Sequence, residues 1–295
     1  MNGQNEDIWS KWLKLRRFGG DDNYQRIALE EFKKLASKIV NKAEIFDTAT
    51  VLDIGSGDGI VGFTALSKLG PKGKLILSDI SEAALAIPFK VINEKEAKDS
   101  RVEFLVSDVQ DLSKLHDSNV DRVLSRAVLL YVEDKQAAFN EIFRILRPGG
   151  VAVLMEPINQ RHLEFGTGFF SGYKLDEEPL LSVRSLIQRT IDNSKSQNQV
   201  SLVGYNEHDL VRYSINAGFE VITLEYSLFR TSKARYPSWE AFFDTAPNPL
   251  ASTLRELLTK NFTLEEFEKV ESALKEVIKL PTMHINCQAF LILKK

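Results

Sequence analysis

Residues 51–59 read VLDIGSGDG, an apolar run that breaks into three glycines within five positions, Gly55, Gly57 and Gly59. The run predicts a strand that stops at a tight turn. Glycine tolerates positive φ and carries no Cβ, so such a turn brings a ligand against bare backbone. Two acids, Asp53 and Asp58, sit at the same turn. Spacing and charge together decide which ligand it suits.

A dinucleotide-binding turn has the order G-x-G-x-x-G, its third small residue letting helix and strand pack closely beside a pyrophosphate. Here the position for that third glycine is Ile60. Carboxylates at the turn would also repel a pyrophosphate. A cationic ligand gains from the same charges, and S-adenosylmethionine, with an ammonium and a sulfonium, is one. A nicotinamide oxidoreductase is the rival that the glycines alone would suggest.

The surroundings of the turn alternate between strand-like and helix-like runs. Strands are predicted at residues 49–55, 73–80, 101–108, 120–127 and 151–157, separated by segments of helical length. That rhythm predicts an α/β fold with a mostly parallel sheet and helices on both faces. In DKQAAFNEIFRIL, Ala138, Phe139, Ile142, Phe143 and Leu146 follow helical spacing, and the helix stops at RPGG. Ser81 is a plausible cap for the helix that follows the second strand, and Pro88 inside it predicts a kink or break.

Two acids close successive strands: Asp79, 24 residues after Gly55, and Asp108. An acid about that far along reaches ribose hydroxyls in nucleotide-binding α/β folds, at the sheet edge where open sheets bind ligands. Singly, each could be a solvated loop carboxylate or a helix cap; after the glycine turn, the pair points to a site.

The series VLDIGSGDG, LSDIS, VSDVQDL, VDRVLSRAVLLYVED and ILRPGG resembles, in order and spacing, the motifs of class I S-adenosylmethionine-dependent methyltransferases over about residues 48–157. The segments WSKWLKLRRFGGDDNY and NPLASTLRELL look like a bacterial small-molecule branch of that superfamily. The resemblance implies a Rossmann-like sheet whose last strand is antiparallel, and a helical lid from two insertions. It implies a cofactor-binding core at 48–157, an N-terminal helical arm at 1–47, lid insertions at 158–205 and 230–281, core again at 206–229, and a final strand at 282–295. By position, Asp53, Gly55, Ser56 and Gly57 would surround the methionine end of the cofactor, and Asp79 would bind its ribose with Ile80 packed on adenine. Asp108 would approach the adenine amine with Val109 beside it, while Ser125 and Arg126 would line the methionine side.

Methyl transfer from a sulfonium is an in-line displacement, and a base helps only acceptors that stay protonated at neutral pH, such as hydroxyls. His162, just after the fifth strand, is the base candidate, set against an ordinary surface histidine. The lid is expected to hold the acceptor, because it carries Phe165, Phe169, Phe170, Tyr173, Tyr236, Trp239, Phe242 and Phe243, which could equally be its own core. Arg126, Arg161, Arg184 and Arg189 could pin a carboxylate. In DIWSKWLKLRRF, Ile8, Trp9, Trp12 and Leu13 share a helical face, which reads either as a helix packed on the sheet or as an arm closing over the cofactor through Trp12 and Arg16. In the lid, Thr263 and Glu266 form a capping-box pattern ahead of a face made by Leu264, Phe267, Val270, Leu274 and Val277.

The chain of 295 residues is 43% hydrophobic and 27% charged with a net charge of −3, which gives no electrostatic footprint for nucleic acid or an anionic membrane. SRAV stands after strand four, where enzymes that methylate nucleobase nitrogens usually carry a proline-rich tetrapeptide. A small molecule or short peptide is therefore the expected substrate, with S-adenosyl-L-homocysteine as the spent cofactor. A non-methylating enzyme of the same fold is the alternative. With no transmembrane stretch and no signal-peptide layout at its start, the protein is expected in the cytoplasm. No zinc site is expected from four dispersed histidines, and the single cysteine, Cys287, reads as a small buried hydrophobe.

Overall fold

The computed structural model describes residues 6–94, 99–165, 169–194, 200–231, 236–282 and 284–295. Seven strands form its main sheet: β1 (Thr50–Ile54), β2 (Lys74–Asp79), β3 (Val102–Val106), β4 (Val120–Arg126), β5 (Leu146–Pro157), β6 (Val221–Thr231) and β7 (His284–Lys294). Their order is β3-β2-β1-β4-β5-β7-β6. The pairs among β1 to β5 are parallel, and β7 runs antiparallel to both β5 and β6. This is the mostly parallel sheet with one antiparallel final strand that the resemblance implies. Chain order reverses between β1 and β4, so a crevice opens at their carboxyl ends.

Strand periodicity splits the core in two. Leu52, Ile54, Ile76 and Val123 face one cluster with Phe139, Ile142 and Leu210, while Val51, Leu75, Leu77 and Leu124 face another with Ile39, Val40, Ala65 and Leu85. Successive side chains of a strand point to opposite faces, and both faces here are covered by helices. Asp22–Lys42, Ile60–Leu66 and Glu82–Asn93 cover the second face; Lys135–Ile145 and Glu207–Ala217 cover the first. Cys287 is buried in the first cluster.

The helix Glu82–Asn93 is capped by Ser81, whose side chain accepts from the Ala84 N–H, and runs through Pro88 without breaking. Pro88 is buried, and packing against its neighbours offsets the missing donor. In the second insertion Thr263 and Glu266 form the reciprocal capping box ahead of Leu264–Val277. Its buried face is Val270, Ala273, Leu274 and Val277; Leu264, expected on that face, is exposed because it opens the first turn beyond the contact.

A third cluster joins two segments of the chain: Tyr173, Leu180 and Ile187 pack with Phe242, Phe243, Leu258 and Leu274. Among the described residues no helix is long and apolar enough to cross a membrane, and no group of three or more metal-type side chains comes together.

Candidate functional site

The glycine turn leaves β1 with Gly55, Gly57 and Gly59 all at positive φ. At Gly55 a Cβ would lie 2.4 Å from Cγ2 of Val128, in the segment after β4, so only glycine fits. At Gly57 a Cβ would come into ordinary van der Waals contact with the Leu13 side chain at 3.6 Å, so the backbone there is covered by the arm's Leu13 and not by a backbone wall. The cavity it faces is lined by the ends of β1 to β4 and, from above, by Trp9, Trp12, Leu13 and Arg17.

Asp79 lines this cavity while bracing the turn: its Oδ2 accepts from the Gly57 N–H and its Oδ1 from the Ser81 N–H, both at 3.0 Å. Burial pushes its carboxyl above the usual range. Each carboxylate oxygen accepts more than one bond, so Asp79 keeps capacity toward the cavity. Ile80 also lines it and is 55% exposed, an uncovered apolar side chain where one face of a ligand would pack. Asp108, Val109 and Gln110 complete that end, with Asp108 accepting from the Gln110 N–H at 2.9 Å.

At the opposite end two arginines approach each other. The Arg17 and Arg126 guanidiniums lie 4.4 and 4.6 Å from the ring of Phe32, and Arg17 donates to Asp58 at 2.8 Å. Arg126 lines the cavity, and its Nε is buried without a hydrogen-bond partner. Burial, then the charge of Arg17, brings Arg126 down to about 10. The Ser56 Oγ is likewise buried and unpaired. Tyr131 lines the same end, 5.0 Å from Trp9 in an edge-on contact, and burial raises its hydroxyl.

Of the residues singled out in the sequence, Trp12, Gly55, Ser56, Gly57, Asp79, Ile80, Asp108, Val109 and Arg126 meet around this one cavity. Asp53 does not line it. It is 1% exposed beneath the turn, accepts from the Gly62 N–H at 2.8 Å, and is pushed up to about 8 by burial. Ser125 is also buried behind the lining, its Oγ unpaired. Arg16 turns away, donating to the Ala251 carbonyl and to Glu256. The reason is a π-helical turn over Trp12–Arg16, closed by the Arg17 N–H on the Trp12 carbonyl at 2.9 Å, which rotates Arg17 rather than Arg16 over the cavity. His162 lies on the helix Asn159–Phe165, and its side chain is outside the described residues, as are those of Phe165 and Phe169.

Packing bears on only some of the aromatics expected to wall the acceptor. Among the described residues, none from 158–205 or 230–281 lines the cavity, and Tyr173, Phe242 and Phe243 are buried in a cluster those two segments share. Ala246 reaches the site's rim through Trp12, whose Nε1–H donates to the Ala246 carbonyl at 2.8 Å. Arg161 is paired with Glu207 and Glu164, and Arg189 with Glu266, which leaves Arg126 alone of the four arginines at the cavity. Sequence reading missed Arg17 and Tyr131. Only the register of the π turn and the path of the chain after β4 place them.

Residues 45–200, more than half of the chain, match the family described as a methyltransferase domain. An arsenite methyltransferase of Halobacterium salinarum is 31% identical over 37% of this chain and 27% of its own length. A demethylmenaquinone methyltransferase of Staphylococcus carnosus is 32% identical over 44% of this chain and 52% of its own. The chain thus spans from about a quarter to about half the length of these relatives. The YcgJ protein of Bacillus subtilis has the same fold, with a TM-score of 0.56 at 14% identity over 88% of this chain and 97% of that one. The chain belongs to the methyltransferase-domain family, that of the class I S-adenosylmethionine-dependent methyltransferases.

Proposed function

We propose that the chain moves a methyl group from S-adenosylmethionine to a small-molecule acceptor, a hydroxyl, a carboxylate or a short peptide's carboxylate among them, that meets the cofactor in the arm-covered cavity. The observation that carries this reading is that Ser56 Oγ and Arg126 Nε, in two residues that line the cavity, are buried without hydrogen-bond partners. Buried polar groups are nearly always satisfied, so both await a polar ligand. When bound, the cofactor supplies a methyl on a positively charged sulfur.

The chain's own groups then divide the work. Asp79 would accept from the ribose hydroxyls, Ile80 and Val109 would pack on the adenine, and Asp108 would accept from its amine. Arg126 would donate to the methionine carboxylate, since its buried Nε has no hydrogen-bond partner and a bidentate carboxylate would satisfy it. Trp9, Trp12 and Leu13 would exclude water, which strengthens electrostatic interactions within and keeps the reacting groups in line. His162 is the proposed base for an acceptor that arrives protonated. The arm (1–47), the core pieces (48–157, 206–229 and 282–295) and the lid insertions (158–205 and 230–281) are proposed as the functional division of the chain.

Calorimetry with S-adenosylhomocysteine tests the cofactor assignment: no binding would end it. Incubation of an extract of the source organism with methyl-labelled S-adenosylmethionine tests transfer. Label on a small molecule supports the reading, and cofactor binding with no labelled product from any acceptor would favour a non-methylating enzyme.

A further inference from the structure

Glu156, the penultimate residue of β5, is 1% exposed and does not line the cavity. Its Oε1 accepts from the N–H groups of both Val128 and Leu129 at 3.0 Å. The residue before them, Ala127, has φ 57°, a left-handed conformation that costs an L side chain about 1–2 kcal/mol. The Ala127 N–H donates to the Met155 carbonyl at 2.8 Å. Two adjacent residues of β5 therefore hold three successive amides of the chain leaving β4.

That segment is the cavity's wall. Arg126, Ala127, Val128, Tyr131 and Val132 all line it, and Val128 fills the place a Cβ on Gly55 would need. A buried carboxylate is expensive where an apolar residue would pack as well, and what offsets the cost here is chiefly the grip on these amides, with the Leu130 N–H and the Tyr205 hydroxyl adding to it.

We propose that Glu156 is a positioning residue: as a carboxylate it holds the Val128 and Leu129 amides, fixes the Arg126–Val132 wall against the glycine turn, and makes cofactor affinity follow its ionisation. The proposal rests on the reading that this cavity holds the cofactor. Burial pushes Glu156 up to about 7, so its ionisation changes in an accessible range. The groups around it are Tyr205, whose hydroxyl lies 3.4 Å from Oε2 and donates to the Pro157 carbonyl; Tyr131, on the 3-10 turn Leu129–Tyr131; and Lys135, whose Nζ donates to the Val132 carbonyl. Burial raises both tyrosines, which stay neutral near pH 7, and lowers Lys135. Burial also raises Asp53, to about 8, and Asp79, so the test compares two proteins at each pH.

The test is calorimetry with S-adenosylhomocysteine on wild type and Glu156→Gln, near pH 8 and near pH 6. The amide copies the protonated carboxyl. The variant is expected to bind about tenfold more weakly near pH 8 and within about twofold of wild type near pH 6, where wild type is itself mostly protonated. Equal ratios at the two pH values, or wild-type affinity at both, would overturn the proposal. Amide hydrogen exchange of ligand-free wild type keeps it testable should the variant not fold: protection of Val128 and Leu129, corrected for intrinsic rates, is expected to fall about fivefold from pH 8 to pH 6. Unchanged protection would overturn it as well. If wild type binds no S-adenosylhomocysteine at all, the cofactor reading fails, while the exchange result still decides the role of Glu156.

Discussion

The N–H of Gly57 donates to Oδ2 of Asp79 at 3.0 Å, tying the glycine turn after β1 to the end of β2. One carboxylate thus shapes the backbone that a ligand would touch and faces that ligand itself. Replacing Asp79 with alanine removes both. Asp79→Ala is expected to weaken S-adenosylhomocysteine binding about tenfold or more, since a hydrogen bond to a charged group is worth roughly 1.5–3 kcal/mol. Calorimetry reads this directly, and unchanged affinity would remove Asp79 from the ribose role.

Gly55 and Val128 make a second pair with a measurable consequence. Gly55→Ala puts a Cβ 2.4 Å from Val128 Cγ2 and a side chain at φ 60°, so a loss of about 2–4 kcal/mol of unfolding free energy is expected. Gly55→Ala combined with Val128→Ala should recover part of that loss, because the clash disappears while the left-handed backbone remains. Denaturant titration of the two single variants and the double variant measures the coupling. Strict additivity would mean that the contact is absent in solution.

The π turn of the arm separates two neighbouring arginines. Arg17→Ala should weaken S-adenosylhomocysteine binding several-fold, because Arg17 lines the cavity and holds Asp58, whereas Arg16→Ala should leave affinity within about twofold. Arg16 spends its charge on Glu256, a half-exposed pair of small net value. The reverse ranking would place the arm in an ordinary α-helical register.

Two buried carboxyls set a pH dependence of stability. Asp53 is pushed up to about 8 and Glu156 to about 7, both above their unfolded values. Between the unfolded and folded pKa values the native state holds protons that the unfolded state has lost. Their contribution therefore favours folding at low pH and declines as pH rises from about 4 to about 8. The melting temperature of wild type should fall from pH 6 to pH 8.5, and Asp53→Asn should flatten that slope. A melting temperature that rises over the interval in wild type would contradict the burial of these charges.

His162→Ala separates a base from a bystander. If His162 takes a proton from the acceptor, the variant transfers methyl more slowly, by about 10²–10⁴-fold, with unchanged affinity for S-adenosylhomocysteine. An unchanged transfer rate would return His162 to the surface of its helix.

The strand order around VLDIGSGDG, the acids that close β2 and the loop after β3, and the capping box at Thr263 and Glu266 are local patterns: apolar periodicity, turn chemistry and cap spacing act over a few residues. The sequence by itself therefore determined the parallel sheet, the family and most of the cavity floor. It could not separate Asp53 from Asp79, two acids near strand ends, because a one-residue change in where a strand stops sends one beneath the turn and leaves the other in the cavity. Nor could it choose Arg17 over Arg16, since the rotation comes from a π turn held by distant contacts such as Trp12 with Ala246. Tyr173, Phe242 and Phe243 could line a pocket or fill a core, and only their packing with one another decided for the core. Glu156 carried no signal at all in one dimension, because its partners Val128 and Leu129 lie 28 and 27 residues away and meet it only across the β4–β5 pairing. Tertiary structure decides such features because side-chain direction and long-range contact depend on how elements pack, which no local pattern encodes.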